Sequence, residues 1–225
     1  MQDDALDQEI RRRFETTWEA ACEGKCDHWR SGPKGVLAYI ILTDQFPRNM
    51  FRGEAQAFAT DTLALAAAKC AISKSWDMKI DEPQRQFFYL PLMHSENLCD
   101  QERCVRLMLE RMPKNGASNL LHARAHREVI RQFGRFPYRN EALSRSSTAP
   151  EMDYVMAGGY GSTMRSLQAA GWGGCLSGLP ETRPDLTLVL RRAPRIGVRR
   201  CCFLHGGYEP ALDDCSAARN SLTVN

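Results

Sequence analysis

The chain has 225 residues, 43% of them hydrophobic and 25% charged, with a net charge of +3, which is room for one large domain or a domain with an appendage. No run approaches the roughly 18 apolar residues that a membrane span needs. Residues 1–160 hold 22 Lys+Arg against 22 Asp+Glu, so they offer no basic field to nucleic acid.

In chain order, Leu6, Ile10, Phe14 and Trp18 recur every four residues and predict an amphipathic helix. Asp3 or Asp4 can cap it and Gly24 can end it. A loop over 27–33 follows, and Pro33 suits a first helical position. Residues 35–46 are apolar nearly all round and predict a helix at the centre of the core. Pro47 should stop that helix, because it has no N–H to donate and disfavours helix at Phe46. Residues 48–53 then read as a tight turn or a single helical turn.

Phe58, Leu63, Leu65, Ala66 and Ile72 fall on an alanine-rich helix, with Thr60 as an internal cap or break. Asp81 and Pro83 start a further helix carrying Phe87, Phe88, Leu90, Leu92 and Met93, and Pro91 should kink it or end it early. Helices are predicted over 100–112 and 120–133. Pro113 and Gly116 punctuate the first, and Gly134 closes the second. A short helix over 150–156 is expected to end at Gly158-Gly159-Tyr160-Gly161. No alternating strand pattern occurs before residue 160.

Beyond Gly161 the character changes. Residues 161–225 hold eight Gly, four Pro and four Cys, with eight Arg and no Lys. They read as a poorly ordered tail, or alternatively as a small β-rich appendage using the apolar run 186–190. The expected organisation is therefore a helical domain over 1–160 and a tail over 161–225. The nine cysteines are odd in number and irregularly spaced. With an acidic start unlike a secretory signal, they point to free thiols in the cytoplasm. Cys22 and Cys26 have no second pair in register, so no structural zinc is expected.

Three stretches carry a resemblance. Asp44-Gln45-Phe46-Pro47-Arg48-Asn49 with Phe51-Arg52-Gly53 is the first. Phe88-Tyr89-Leu90-Pro91-Leu92-Met93-His94-Ser95-Glu96 with Asp100-Gln101-Glu102-Arg103 is the second. His126-Arg127, then Phe133-Gly134-Arg135-Phe136-Pro137 and Arg139-Asn140, is the third. In that order, across residues 6–159, they resemble the signatures of a bacterial domain-of-unknown-function family, number 924. The resemblance implies an all-α fold: antiparallel helix pairs in a layered array like that of tetratricopeptide repeats. Members of the family usually open with a further helix bearing a Trp-Phe pair, and this chain begins after it. The resemblance implies no activity.

The candidate site residues follow from chemistry. Phe46-Pro47 and Phe136-Pro137 can be pure structure, an aromatic anchor with a fixed φ. Arg48, Arg52, Arg135 and Arg139 are planar donors on rigid turns and suit a carboxylate or phosphate. Asp44, Asn49 and Asn140 would add polar contacts. Two such turns facing each other would form an anion cradle.

His94, Glu96 and His126 are the catalytic candidates. His94 and Glu96 are two apart and converge only if the chain turns between them; Glu96 and Asp100 could equally make a surface ion pair, with Ser95 or Asp100 as a cap. His122 and His126 share a helix side at a metal-ligand spacing, but residue 123 is Ala rather than the Glu of zinc proteases, so a buried, hydrogen-bonded His126 is the expected state.

No metal or cofactor is expected, and there is no phosphate loop, nucleophile elbow or dinucleotide fingerprint. The first functional reading is a groove binding an acidic small molecule or a peptide carboxylate. A hydrolytic or proton-transfer enzyme using His94 or His126, with Glu96 and Asp44 as carboxylate partners, is the alternative. An interaction scaffold is the third. The oligomeric state is left open.

Overall fold

Leu6, Ile10, Phe14 and Trp18 lie along one helix, α1 (Asp4–Cys22), in the computed structural model, which describes residues 4–171. Ile10 and Trp18 are buried. Phe14 packs on Phe46 with ring centroids 4.6 Å apart, and Trp18 packs on Phe51 at 5.0 Å. The N-terminal helix is therefore docked on the segment containing the first Phe-Pro pair.

That segment is α2 (Pro33–Ile40), a π turn (Ile41–Gln45) and α3 (Phe46–Met50). Every residue from Tyr39 to Pro47 is buried, as the all-round apolar pattern requires. The expected stop at Pro47 does not occur. Pro47 cannot donate to Thr43, four residues back, and its ring would crowd that carbonyl. The wider π turn lets the helix pass the proline, as π bulges do. The Thr43 carbonyl instead accepts the Thr60 hydroxyl at 2.6 Å, and Thr60 Oγ1 accepts Trp18 Nε1 at 3.1 Å. One buried chain of hydrogen bonds thus ties α1 to the π turn and to the start of α4 (Asp61–Ser73).

Thr60 stands at the N-cap position of α4, and Phe58 belongs to the 3-10 turn before it (Ala55–Phe58). The buried face of α4 is Ala64, Ala67, Ala68, Ala71 and Ile72. Small side chains there let α4 lie close against α2.

The long helix expected from residue 81 is instead a 3-10 turn (Gln84–Phe88) followed by a short α5 (Leu90–His94). Pro91 is the reason. It fits only the first turn of a helix, so a new helix has to begin around it. Then come α6 (Leu98–Arg111) and α7 (Ala117–Phe133), joined by a short connection and packed together more extensively than any other helix pair described. Asn97 caps α6, accepting from the Cys99 and Asp100 N–H groups at 2.9 and 3.4 Å, so neither Ser95 nor Asp100 is the cap. Gly134 ends α7 in the left-handed conformation, φ +70°.

After a 3-10 turn (Pro137–Arg139), α8 (Ala149–Met156) opens with a capping box between Thr148 and Glu151. The glycine run does not end the helical region. A further helix, α9 (Gly159–Ala169), begins inside it and packs on α7, crossing the boundary expected at residue 160. Tyr160 drives this: it stacks on His122 with ring centroids 6.0 Å apart and meets His126 edge-on at 4.9 Å. The described residues contain no strand, so the all-α expectation stands for them. The rest of the expected tail, with the run 186–190, lies outside the described residues.

Candidate functional site

The π turn places Asp44 in the interior of the helical region, fully buried. A carboxylate there needs partners, and it has three. His94, the last residue of α5, donates Nδ1–H to it at 2.8 and 3.1 Å from the two oxygens. The Gln45 side-chain amide also donates to it, and the Arg48 guanidinium is 3.8 Å away. Burial pushes the Asp44 carboxyl up, but the His94 and Arg48 charges and the hydrogen bonds outweigh it and hold the group at about 2. Burial pushes His94 down; Asp44 opposes this, while Arg48 and Arg139 add to it, and the net shift is downward. At neutral pH the pair is therefore a carboxylate and a neutral imidazole. Because Nδ1 carries the hydrogen, Nε2 is a lone-pair acceptor.

His94 opens onto a cleft of about 300 Å³, with Ser95, Glu96, Asp61 and Arg139 among its polar walls and Phe58, Leu65, Pro91 and Leu143 among its apolar ones. Arg139 reaches it from the second Phe-Pro turn. It is 7% exposed, and its guanidinium lies 4.3 Å from the Phe136 ring centroid and 4.9 Å from that of Phe58. Its Nη1 donates to the His94 carbonyl oxygen at 3.0 Å and is 3.7 Å from Asp61. Nε and Nη2 have no hydrogen-bond acceptor among the described residues. Arg48, by contrast, is committed. It holds Asp61 by two bonds of 2.7 and 2.9 Å and donates to the carbonyls of Asp44 and Ala57 at 3.1 and 3.2 Å.

His126 lies behind His94, ring centroids 6.2 Å apart. Its Nδ1 donates to the Met93 carbonyl at 3.1 Å, and its ring packs edge-on against Phe136 at 5.2 Å. Burial, then the His94 charge, lowers it to about 3. The chain does turn after His94, so Glu96 faces the same cleft. Its carboxylate is already held by Arg145 at 2.7 and 3.0 Å and by the Phe136 N–H at 2.9 Å. Asp44, rather than Glu96, is thus the carboxylate partner of the histidine. Asp100 is taken by Lys69 at 2.6 Å and by the Ser95 hydroxyl at 2.9 Å.

The structure brings Asp44, Arg48, His94, Glu96, His126 and Arg139 together. It sends the other four candidates elsewhere. Asn49 and Arg52 both bind Asp7 of α1, at 2.7 and 2.6 Å. Arg135 and Asn140 both bind Glu151 of α8, at 2.6 and 3.4 Å. The four-arginine cradle is therefore reduced to Arg48 and Arg139, which meet at Asp61. Sequence reasoning passed over Asp61, because an acid after Thr60 reads as an ordinary first-turn residue. It also passed over Phe58 and Tyr160. Glu151 carried a legible signal, the Thr148-x-x-Glu151 capping-box spacing.

His122 Nδ1 is 2.5 Å from the Tyr160 hydroxyl. Among the described residues no group of three or more His, Cys, Asp or Glu is placed to hold a metal ion, and no helix is long and apolar enough to cross a membrane. Cys22, Cys26, Cys70, Cys99 and Cys104 are free thiols.

Comparison with solved structures finds a protein from Agrobacterium tumefaciens, "Structure of Protein of Unknown Function ATU0120". It is 39% identical over 69% of this chain and 86% of that one, with a TM-score of 0.64. Comparison with curated proteins finds no match. The model of the family described as bacterial protein of unknown function (DUF924) matches residues 1–159, the span that holds all three signatures and every residue of the cleft, and the chain belongs to that family.

Proposed function

We propose that the cleft binds a small acidic molecule, with Arg139 as the cation that docks its carboxylate and His94 Nε2 as the neighbouring polar contact. The observation that carries this reading is the pairing of two features on one cleft: a guanidinium clamped between two rings with N–H groups to spare, and an imidazole aimed by a buried carboxylate. The volume of about 300 Å³ is at the small end for ligand sites, which favours a free organic acid over a folded partner.

A panel of organic acids tested by thermal shift checks this. Acids that stabilise the parent chain should lose that effect in Arg139→Gln, while Arg52→Gln, whose side chain binds Asp7, should retain it. Equal stabilisation of the parent and Arg139→Gln by every active acid would sink the proposal.

The Asp44–His94 pair favours a second reading, a proton-transfer enzyme in which His94 Nε2 takes a proton from the bound acid or from water. Asp44 would hold the tautomer and offset the charge. On this reading any turnover found should fall about 10²- to 10⁴-fold in Asp44→Asn, with KM little changed.

Consecutive helix pairs, α6 with α7 and α8 with α9, support the tetratricopeptide-like reading, which carries no function by itself. The five free thiols among the described residues suit a reducing cytoplasm.

A further inference from the structure

The chemistry of the ligand can be narrowed by charge. Among the described residues, six ionised side chains stand at or just behind the cleft: Arg48, Arg139 and Arg145, against Asp44, Asp61 and Glu96. With His94 neutral they cancel. Five of the six are engaged within the protein, Asp61 by Arg48 and Glu96 by Arg145 and the Phe136 N–H among them. Asp44 is enclosed by His94, Gln45 and Arg48. Arg48 is spent on Asp61 and two carbonyls. Arg145 is spent on Glu96, the Asn140 side chain and the Phe136 carbonyl. Among the described residues one cationic edge therefore remains at the cleft, Nε and Nη2 of Arg139, and the two carboxylates that line the cleft beside it are Asp61 and Glu96. Phe58, Leu65, Pro91 and Leu143 make up the apolar wall.

Resting on the small-acid reading above, we infer that the site selects a monocarboxylic acid with a short apolar body, and rejects dicarboxylates and phosphate. One carboxylate satisfies the free edge of Arg139. A proton on His94 Nε2 can offset the single charge it brings. A second negative charge would meet Asp61 or Glu96, or else be buried against the apolar wall without a partner, and either is unfavourable. The apolar wall rewards a hydrocarbon body by removing its surface from water. Discrimination thus comes from repulsion as much as from attraction.

Titration of the full chain with hexanoate, adipate, hexanamide and inorganic phosphate, followed by calorimetry and thermal shift, tests this. Hexanoate should bind, and the other three should bind at least about tenfold more weakly. Leu143→Lys places a cation on the apolar wall and should shift the preference toward adipate by about tenfold; Leu65→Lys serves the same purpose if the first variant does not fold. Adipate or phosphate binding as tightly as hexanoate in the parent, with the binding lost in Arg139→Gln, would overturn the selectivity while leaving the small-acid site intact. If none of the four binds, and a wider acid panel shows no dependence on Arg139, the small-acid reading fails and the selectivity goes with it.

Discussion

Phe46-Pro47-Arg48-Asn49 and Phe136-Pro137-Tyr138-Arg139-Asn140 are two versions of one device, differing by the residue inserted between proline and arginine. Each anchors a phenylalanine in the core and uses its asparagine with a nearby arginine to grip one carboxylate on another helix: Asp7 of α1 for the first, Glu151 of α8 for the second. The gripping arginine follows the motif in one case (Arg52) and precedes it in the other (Arg135). Each motif's own arginine turns toward Asp61. Here the two part company. Arg48 meets Asp61 as a bidentate fork and is saturated; Arg139 stands 3.7 Å from it, stacked between Phe58 and Phe136. The first turn is built for internal structure. The second, among the described residues, keeps donors in reserve.

The largest test is at Asp44, which has no counterpart in the second turn. Asp44→Ala leaves Arg48 and His94 without their buried partner and should cost about 3–5 kcal/mol in urea unfolding, as for other broken buried pairs. A cost below about 1 kcal/mol would mean that the first turn does not depend on its internal ion pair.

Arg48→Lys should come next. It loses the bidentate geometry and two carbonyl contacts and should destabilise by about 1.5–3 kcal/mol, the range for hydrogen bonds involving a charged group. Arg139→Lys should cost clearly less in stability but abolish acid-induced stabilisation. Equal losses in the two variants would erase the distinction between the turns.

The pH dependence probes the second turn through His126, which packs on Phe136. Its folded value of about 3 lies below the ordinary 6.5. Below pH 6.5 the unfolded chain takes up a proton that the folded chain does not. Stability is therefore full above 6.5 and declines as pH falls toward 3, by at most about 1.4 kcal/mol per pH unit for one proton. Urea midpoints measured between pH 7 and 4 (roughly the window set by this linkage) should fall in the parent and fall less steeply in His126→Gln.

The smallest effect separates the two grips. Asp7 is 15% exposed and its partner Arg52 39%, a partly solvated pair, so Asp7→Ala should cost about 1 kcal/mol. Glu151 is only 4% exposed, holds Arg135 and completes the capping box, so Glu151→Ala should lower Tm more than Asp7→Ala does. The reverse order would show that α1, not α8, is the more firmly held.

The periodic stripes of α1, α6 and α7 were legible because amphipathic burial is written every three to four residues, and Gly134 because a helix end needs a left-handed residue. The prolines are legible as constraints, but the stop expected at Pro47 does not occur. Nothing local announces that Thr60 will take the Thr43 carbonyl. His94, Glu96 and His126 could be listed as candidates from residue type alone, whereas their partners could not. Asp44 and His94 are 50 residues apart, and Glu96 and Arg145 are 49 apart.

By itself, then, the sequence determined the all-α class, most helix positions, the paired Phe-Pro devices and a short list of polar groups, since each depends on neighbours within a turn or two. Tertiary structure decided the rest. Which arginines are consumed by internal carboxylates, which carboxylate orients the histidine, and which side chains share a cleft all depend on contacts between segments far apart in the chain. A charged side chain left partly unpaired among the described residues, such as Arg139, becomes visible only when every such contact has been made.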